Sequence, residues 1–181
     1  MFRLRYRLLR FRLKGQAETQ QRKTLSEIHL SGKPIAKILF LCHGNICRSP
    51  IAEKLAMRLL PKVEVSSAGF YDREGRSTPN EIQSAAKSLG INLSDWASKR
   101  VTREMVQHAD LVVLMDLYNF RDFRREFSDE QTKVLFLGML LDPPQLGITD
   151  PYGKAPDETA RILSEIETGV KALATEISAS H

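Results

Sequence analysis

From Pro34 onward the chain alternates short apolar runs with longer stretches of helical pattern. Few folds accept that alternation: it marks strand-helix-strand units around a parallel sheet covered on both faces, an α/β class. The apolar runs are Ile35–Leu41, Val63–Gly69, Asp110–Met115 and Lys133–Leu137, read as four strands. Between and after them, Ser49–Leu60, Pro79–Leu89, Thr102–His108, Leu117–Phe127 and Pro156–Ser178 read as helices. In the first of these, Ile51, Leu55 and Leu59 recur every fourth residue and form one apolar face, and Pro50 suits a first helical turn. Gly90 supplies the stop after Leu89. With 181 residues and 42% hydrophobic content there is material for one ordinary core.

A surplus of 27 basic over 22 acidic residues invites a nucleic-acid or membrane-surface reading. The surplus is local. Residues 1–37 carry ten basic and two acidic side chains, whereas residues 38–181 carry seventeen and twenty. The chain therefore divides into a basic extension, 1–33, and a mildly acidic body, 34–181, and nucleic acid loses its claim as a partner. Within the extension, Phe2–Leu13 interleaves apolar residues with Arg, which fits a strand or a basic amphipathic helix lying on anionic lipid. Gly15–Lys33 is polar and reads as a loosely ordered linker. The expectation is an arm that is flexible or that docks on an anionic membrane or acidic partner, and whose removal leaves turnover unchanged. No run approaches the roughly 20 apolar residues of a bilayer span. Cys42 and Cys47, five positions apart, cannot staple a long loop, which favours a reduced, cytoplasmic setting, with membrane association only through the arm.

The chemistry concentrates between the first strand and its helix, in Cys42-His43-Gly44-Asn45-Ile46-Cys47-Arg48-Ser49. In an open α/β sheet ligands bind beyond the carboxyl ends of the strands, and this loop ends on a helix N-terminus whose free N–H groups attract an anion. Gly44 and Asn45 accept the positive-φ conformations that turn amides inward around a phosphate-sized group. The same positive field favours the thiolate of a cysteine at the loop's base, the nucleophilic form. Arg48 adds a planar fork matched to two phosphate oxygens.

This loop resembles the signature of the low-molecular-weight protein tyrosine phosphatases. The likeness extends to Ser67-Ala68-Gly69, to Met115-Asp116 with Asn119, and to Asp150-Pro151-Tyr152, in the family's order and spacing over about residues 35–178. It implies a three-layer fold with strand order 2-1-3-4 and the phosphate-binding loop after strand 1. It implies hydrolysis of phosphotyrosine without metal or cofactor, with Cys42 as nucleophile, Arg48 holding the phosphoryl oxygens and Asp150 as general acid. Ser49 would support the Cys42 thiolate, and Asn45 would fix the loop by bonding Ser49 and Ser67. His43, Gly44, Ile46 and Cys47 complete the loop, with Cys47 also the partner of a protective disulfide. Tyr152 would wall the cleft, faced by Tyr71 or Phe70, and Asp116 would serve the site or cap the next helix. Gly153 replaces a second tyrosine, and the histidine that eukaryotic members place before the third strand is replaced in the Asp95-Trp96 region. Both departures point to the bacterial branch, whose partner is a tyrosine kinase of exopolysaccharide production. Two alternatives share the fold. An arsenate reductase relaying through downstream cysteines lacks them here, since none follows Cys47. An arginine phosphatase would carry threonine where this loop has Ile46.

Overall fold

The computed structural model describes residues 12–24, 34–130 and 133–179. Four strands, β1 (Lys37–Cys42), β2 (Glu64–Gly69), β3 (Leu111–Leu114) and β4 (Lys133–Phe136), lie parallel in the order β2-β1-β3-β4. This is the order expected from the resemblance. β1 lies inside the sheet and is buried from Ile38 to Cys42, as a strand covered on both faces must be.

Side-chain alternation along β1 divides the core in two. Ile38, Phe40 and Cys42 face one cluster with α2 (Arg48–Leu59), α3 (Asn80–Lys87) and α6 (Pro156–Ala179). Leu39 and Leu41 face another with α4 (Arg103–His108) and α5 (Leu117–Glu126), where Phe120, Phe123 and Phe136 pack. Element ends fall where local chemistry stops them. Thr102 and Asp116 accept from Met105 N and Asn119 N and cap α4 and α5. Gly90 follows α3 with φ 68°, the left-handed turn that glycine adopts without strain. The fourth strand is one residue shorter than its apolar run, because Leu137 begins a 3-10 turn, Leu137–Leu140, against α6.

The basic extension departs from its sequence reading. Residues 12–24 form a helix, α1, and not a loosely ordered linker. Ala17, Gln21 and Thr24 are buried on one face of it, and Leu13 packs beside them. Gln21 Oε1 accepts from Phe136 N at 2.7 Å, and the Thr24 hydroxyl donates to Val134 O at 2.8 Å. Those are outward-facing backbone groups of β4, which among the described residues pairs only with β3. The helix therefore covers the open edge of the sheet, a place that otherwise invites pairing with another chain. Its contact stripe is partly polar because an edge strand offers N–H and C=O groups, and an apolar periodicity cannot announce such a stripe. The strand or lipid-bound helix considered for residues 2–11, and the rest of the linker at 25–33, lie outside the described residues.

Over 12–24 the extension is thus part of the folded body. Gln21→Ala with Thr24→Val should lower the unfolding free energy by about 2 kcal/mol, roughly 1 kcal/mol for each hydrogen bond lost. Urea unfolding measures the change; stability equal to the parent protein's would mean that α1 does not hold the edge.

Candidate active site

Cys42 ends β1 directly opposite Gly69, the last residue of β2. Residues 43–47 then loop over the sheet's carboxyl edge before Arg48 opens α2. The crossing is tight: a Cβ on Gly69 would lie 2.8 Å from both Asn45 N and His43 O. Glycine there is a condition of the loop's shape. α2 begins with no side-chain cap at Cys47, so its first-turn N–H groups face the loop as an anion-binding end.

Asn45 holds this loop together. Its backbone is left-handed, φ 52°, which asparagine tolerates better than most residues. Its side-chain amide donates to Ser49 Oγ at 3.0 Å and to Ser67 Oγ at 2.9 Å, and its Oδ1 accepts from Lys99 N at 2.8 Å. Asn45 N lies 3.2 Å from Cys42 Sγ, and Ser49 Oγ lies 3.1 Å from the same sulfur. With Asn45 on the acceptor side of the Ser49 hydroxyl, its hydrogen is left for the sulfur or for Ala68 O, 3.4 Å away. The sulfur thus sits among donors, the environment that suits an anion.

Arg48 is buried, and three acceptors surround its fork. Nη1 donates to Asp116 Oδ2 at 2.6 Å and to Ile148 O at 3.0 Å, and Nη2 donates to Asp150 Oδ2 at 2.9 Å. Burial opposes the guanidinium charge, but Asp116, the Cys42 sulfur and Asp150 outweigh it and push the pKa upward. Asp116 does both things the sequence left open: Oδ2 holds Arg48 while Oδ1 caps α5. Asp150 is half-exposed, and its second oxygen accepts from Tyr152 N at 3.2 Å, a turn typical of Asp-Pro. Arg48 and Asp150 are therefore paired here across the floor of the cleft.

The cleft, about 260 Å³, has Cys42 and Cys47 at its base and Asp150, Tyr152, Tyr71 and Arg76 on its walls. Of the two aromatic candidates after Ser67-Ala68-Gly69, Tyr71 takes the wall while Phe70 is buried in the second core. Both cysteines are free thiols. Burial pushes the Cys47 thiol well up, with Asp150 and Cys42 adding to the rise, so Cys47 stays protonated at neutral pH. Sequence reasoning missed the outer ring of the loop. Trp96 Nε1 donates to Asn45 O at 2.7 Å, and Arg76 grips Gly44 O. Glu53, buried on α2, also escaped notice; burial raises its pKa, opposed by a hydrogen bond from Ser67 and by Lys99 and Lys54. No spacing rule ties Trp96 and Arg76 to the loop, because separate segments bring them there, and Glu53, though on α2, meets Ser67 only through the fold. Among the described residues no cluster of His, Cys, Asp or Glu is arranged to hold a metal ion, and no helix is long and apolar enough to cross a membrane.

A four-stranded parallel sheet with a Cys-x5-Arg loop over its carboxyl edge and an aspartate paired to the arginine defines a phosphate-ester class of site. Residues 37–181 match the family model described as low molecular weight phosphotyrosine protein phosphatase, and the chain belongs to that family. The low molecular weight protein-tyrosine-phosphatase Etp of Escherichia coli K12 is 30% identical over 141 residues, covering 78% of this chain and 94% of Etp. The crystal structure of the Erwinia amylovora tyrosine phosphatase AmsI superposes with a TM-score of 0.74 at 27% identity, over 81% of this chain and 95% of that one. The YwlE arginine phosphatase from Geobacillus stearothermophilus superposes with a TM-score of 0.73 at 29% identity, over 81% of this chain and 94% of that one.

Asn45→Ala should lower stability by about 2 to 4 kcal/mol, since it removes three side-chain hydrogen bonds and leaves at positive φ a Cβ without the amide that offsets its cost. Asn45→Gly, which keeps the backbone freedom, should lose less. Paired urea titrations test this, and equal losses in the two variants would rule out the backbone part of the account.

Proposed function

We propose that this protein hydrolyses phosphotyrosine in proteins through a cysteinyl-phosphate intermediate. The observation that carries the reading is the placement of Cys42 Sγ beside Ser49 Oγ and Asn45 N, with Arg48 tying Asp150 to the same cleft.

A phosphate dianion entering the loop competes with Asp150 for Arg48 Nη2; in taking that donor it frees the carboxylate, which takes up a proton from solvent beside the dianion and turns to the leaving group. Cys42 attacks phosphorus, forming the S–P bond as the bond to the phenolic oxygen breaks, and Asp150 gives that oxygen its proton. Arg48, still held by Asp116, and the loop amides bind the equatorial oxygens. Water then attacks phosphorus while the Asp150 carboxylate takes its proton; the S–P bond breaks and inorganic phosphate leaves. Tyr71 and Tyr152 are placed to stack on the substrate ring. As substrate protein, a tyrosine kinase of polysaccharide production is the finer proposal, and it rests on the resemblance to the bacterial branch alone. Phosphoarginine is the second reading, favoured by the likeness to YwlE. Ile46, bulkier and without the hydroxyl of the threonine that the arginine phosphatases carry, opposes it.

One assay series tests the reading with phosphotyrosine, phosphoserine, phosphoarginine and arsenate offered separately. Phosphotyrosine should be turned over and inhibited by vanadate, Cys42→Ser should be inert, and Asp150→Asn should slow poor leaving groups by about 10²–10⁴-fold, the usual scale of acid catalysis. Activated aryl phosphates should suffer much less. Turnover by Cys42→Ser equal to the parent's would sink the mechanism, and faster use of phosphoarginine would replace the substrate.

Cys47 adds a redox role to the proposal. Peroxide oxidises the Cys42 thiolate to a sulfenic acid, releasing hydroxide, and the Cys47 thiol condenses with it to a disulfide and water; external thiol reduces the disulfide back to the two thiols. Recovery with dithiothreitol after peroxide should be nearly complete for the parent and poor for Cys47→Ser. Equal recovery would remove Cys47 from this role.

A further inference from the structure

The peptide bond joining Gly44 to Asn45 is held from both sides. On its inner side, Asn45 N–H points at Cys42 Sγ, 3.2 Å away. On its outer side, Gly44 O accepts from Arg76 Nη2 at 2.5 Å. Carbonyl and amide of one peptide unit point in opposite directions, so a donor on the oxygen fixes which way the N–H faces. A cationic donor also polarises the unit and strengthens the hydrogen bond made by its N–H.

Arg76 is itself built into place. Its N donates to the buried Ser98 Oγ at 3.0 Å, its O accepts from Ser98 N at 2.9 Å, and Gly75 N donates to Ser98 O at 2.8 Å. Its Nε donates to Arg73 O at 3.2 Å, and the guanidinium lies 4.2 Å from the centre of the Tyr71 ring. Tyr71 in turn is tied to the loop, its N donating to His43 O at 2.9 Å. The guanidinium is thus clamped between an aromatic wall of the cleft and a carbonyl of the phosphate-binding loop.

We infer that Arg76 is a positioning residue for the nucleophile: through the Gly44–Asn45 peptide it holds and polarises the amide that hydrogen-bonds the Cys42 sulfur. This rests on the reading of Cys42 as nucleophile, yet it can be measured on the free protein. Arg76 does so without touching the sulfur, and a lysine, unable to stack and donate as a fixed fork, replaces it only in part.

The test is the pH dependence of Cys42 alkylation by iodoacetamide, followed by peptide mass, in the parent, Arg76→Lys and Arg76→Gln. His43, Cys47, Arg48, Tyr71, Asp116, Asp150 and Tyr152, the other titratable or charged groups around the cleft, are the same in all three. The midpoint should move to higher pH in Arg76→Gln, with Arg76→Lys between it and the parent. In parallel, kcat on a phosphotyrosine peptide should fall about tenfold in Arg76→Gln, with KM little changed. Midpoints that coincide in folded variants overturn the inference, and so does a rise confined to KM, which would make Arg76 a substrate contact instead. Should Arg76→Gln fail to fold, the lysine variant's midpoint decides alone. Failure of the parent to hydrolyse phosphotyrosine would sink the enzymatic reading while leaving the alkylation result to stand or fall by itself.

Discussion

The left-handed turn at Asn45, with the hydrogen bonds that hold it, is the constraint on which the site depends. One residue there ties β1, through Cys42, to α2 through Ser49, to β2 through Ser67 and to the segment before α4 through Lys99 and Trp96. Without it a five-residue loop would have no reason to curl its amides inward, since in solution those N–H groups are equally content facing water. The close approach of the loop to Gly69 is the other half of the same constraint. The sheet sets the two strand ends side by side, and the absence of a Cβ lets the loop lie across them.

Affinity for an anion is produced here in a body that carries more acid than base. Two carboxylates even flank the cationic fork, Asp116 and Asp150. They differ in what they do to it. Asp116 is also a helix cap, anchored at both oxygens, and so fixes the direction of Arg48. Asp150 is half-exposed and sits at the cleft mouth, a counter-charge that an incoming dianion can displace. Local orientation of amides and one guanidinium outweighs the sign of the whole surface because such interactions act at hydrogen-bond distance, where net charge is a distant and screened contribution. The basic extension performs a different task, and over 12–24 its polar side chains replace the missing neighbour of an edge strand.

Solved structures of a tyrosine phosphatase and an arginine phosphatase superpose on this chain almost equally well. The sheet therefore does not choose the substrate. What varies above a shared sheet is the rim of the cleft, lined here by Ile46, Tyr71, Arg76 and Tyr152.

The order of elements, the two-sided burial of the strands, and the loop with its cysteine, arginine and distant aspartate were all legible from the sequence. Short-range patterns carry the elements and the loop: apolar runs, period-3.6 hydrophobicity, a glycine after a helix, a cysteine at fixed spacing from an arginine; the aspartate came from the likeness to the family. What the tertiary structure alone decided is everything that joins residues from separate segments. Trp96 on Asn45, Arg76 on Gly44 and Glu53 near Ser67 depend on which loops meet and how α2 packs on β2, and their sequence separations follow no rule. Asp116 could be read as cap or as site residue, and only the fold revealed that its two oxygens do both. The helix at 12–24 was missed because its buried stripe includes glutamine and threonine, residues that look like linker until an unpaired strand edge is present to receive them. A pattern of hydrophobicity records what a segment hides from water; it does not record the hydrogen bonds a segment completes for its neighbour.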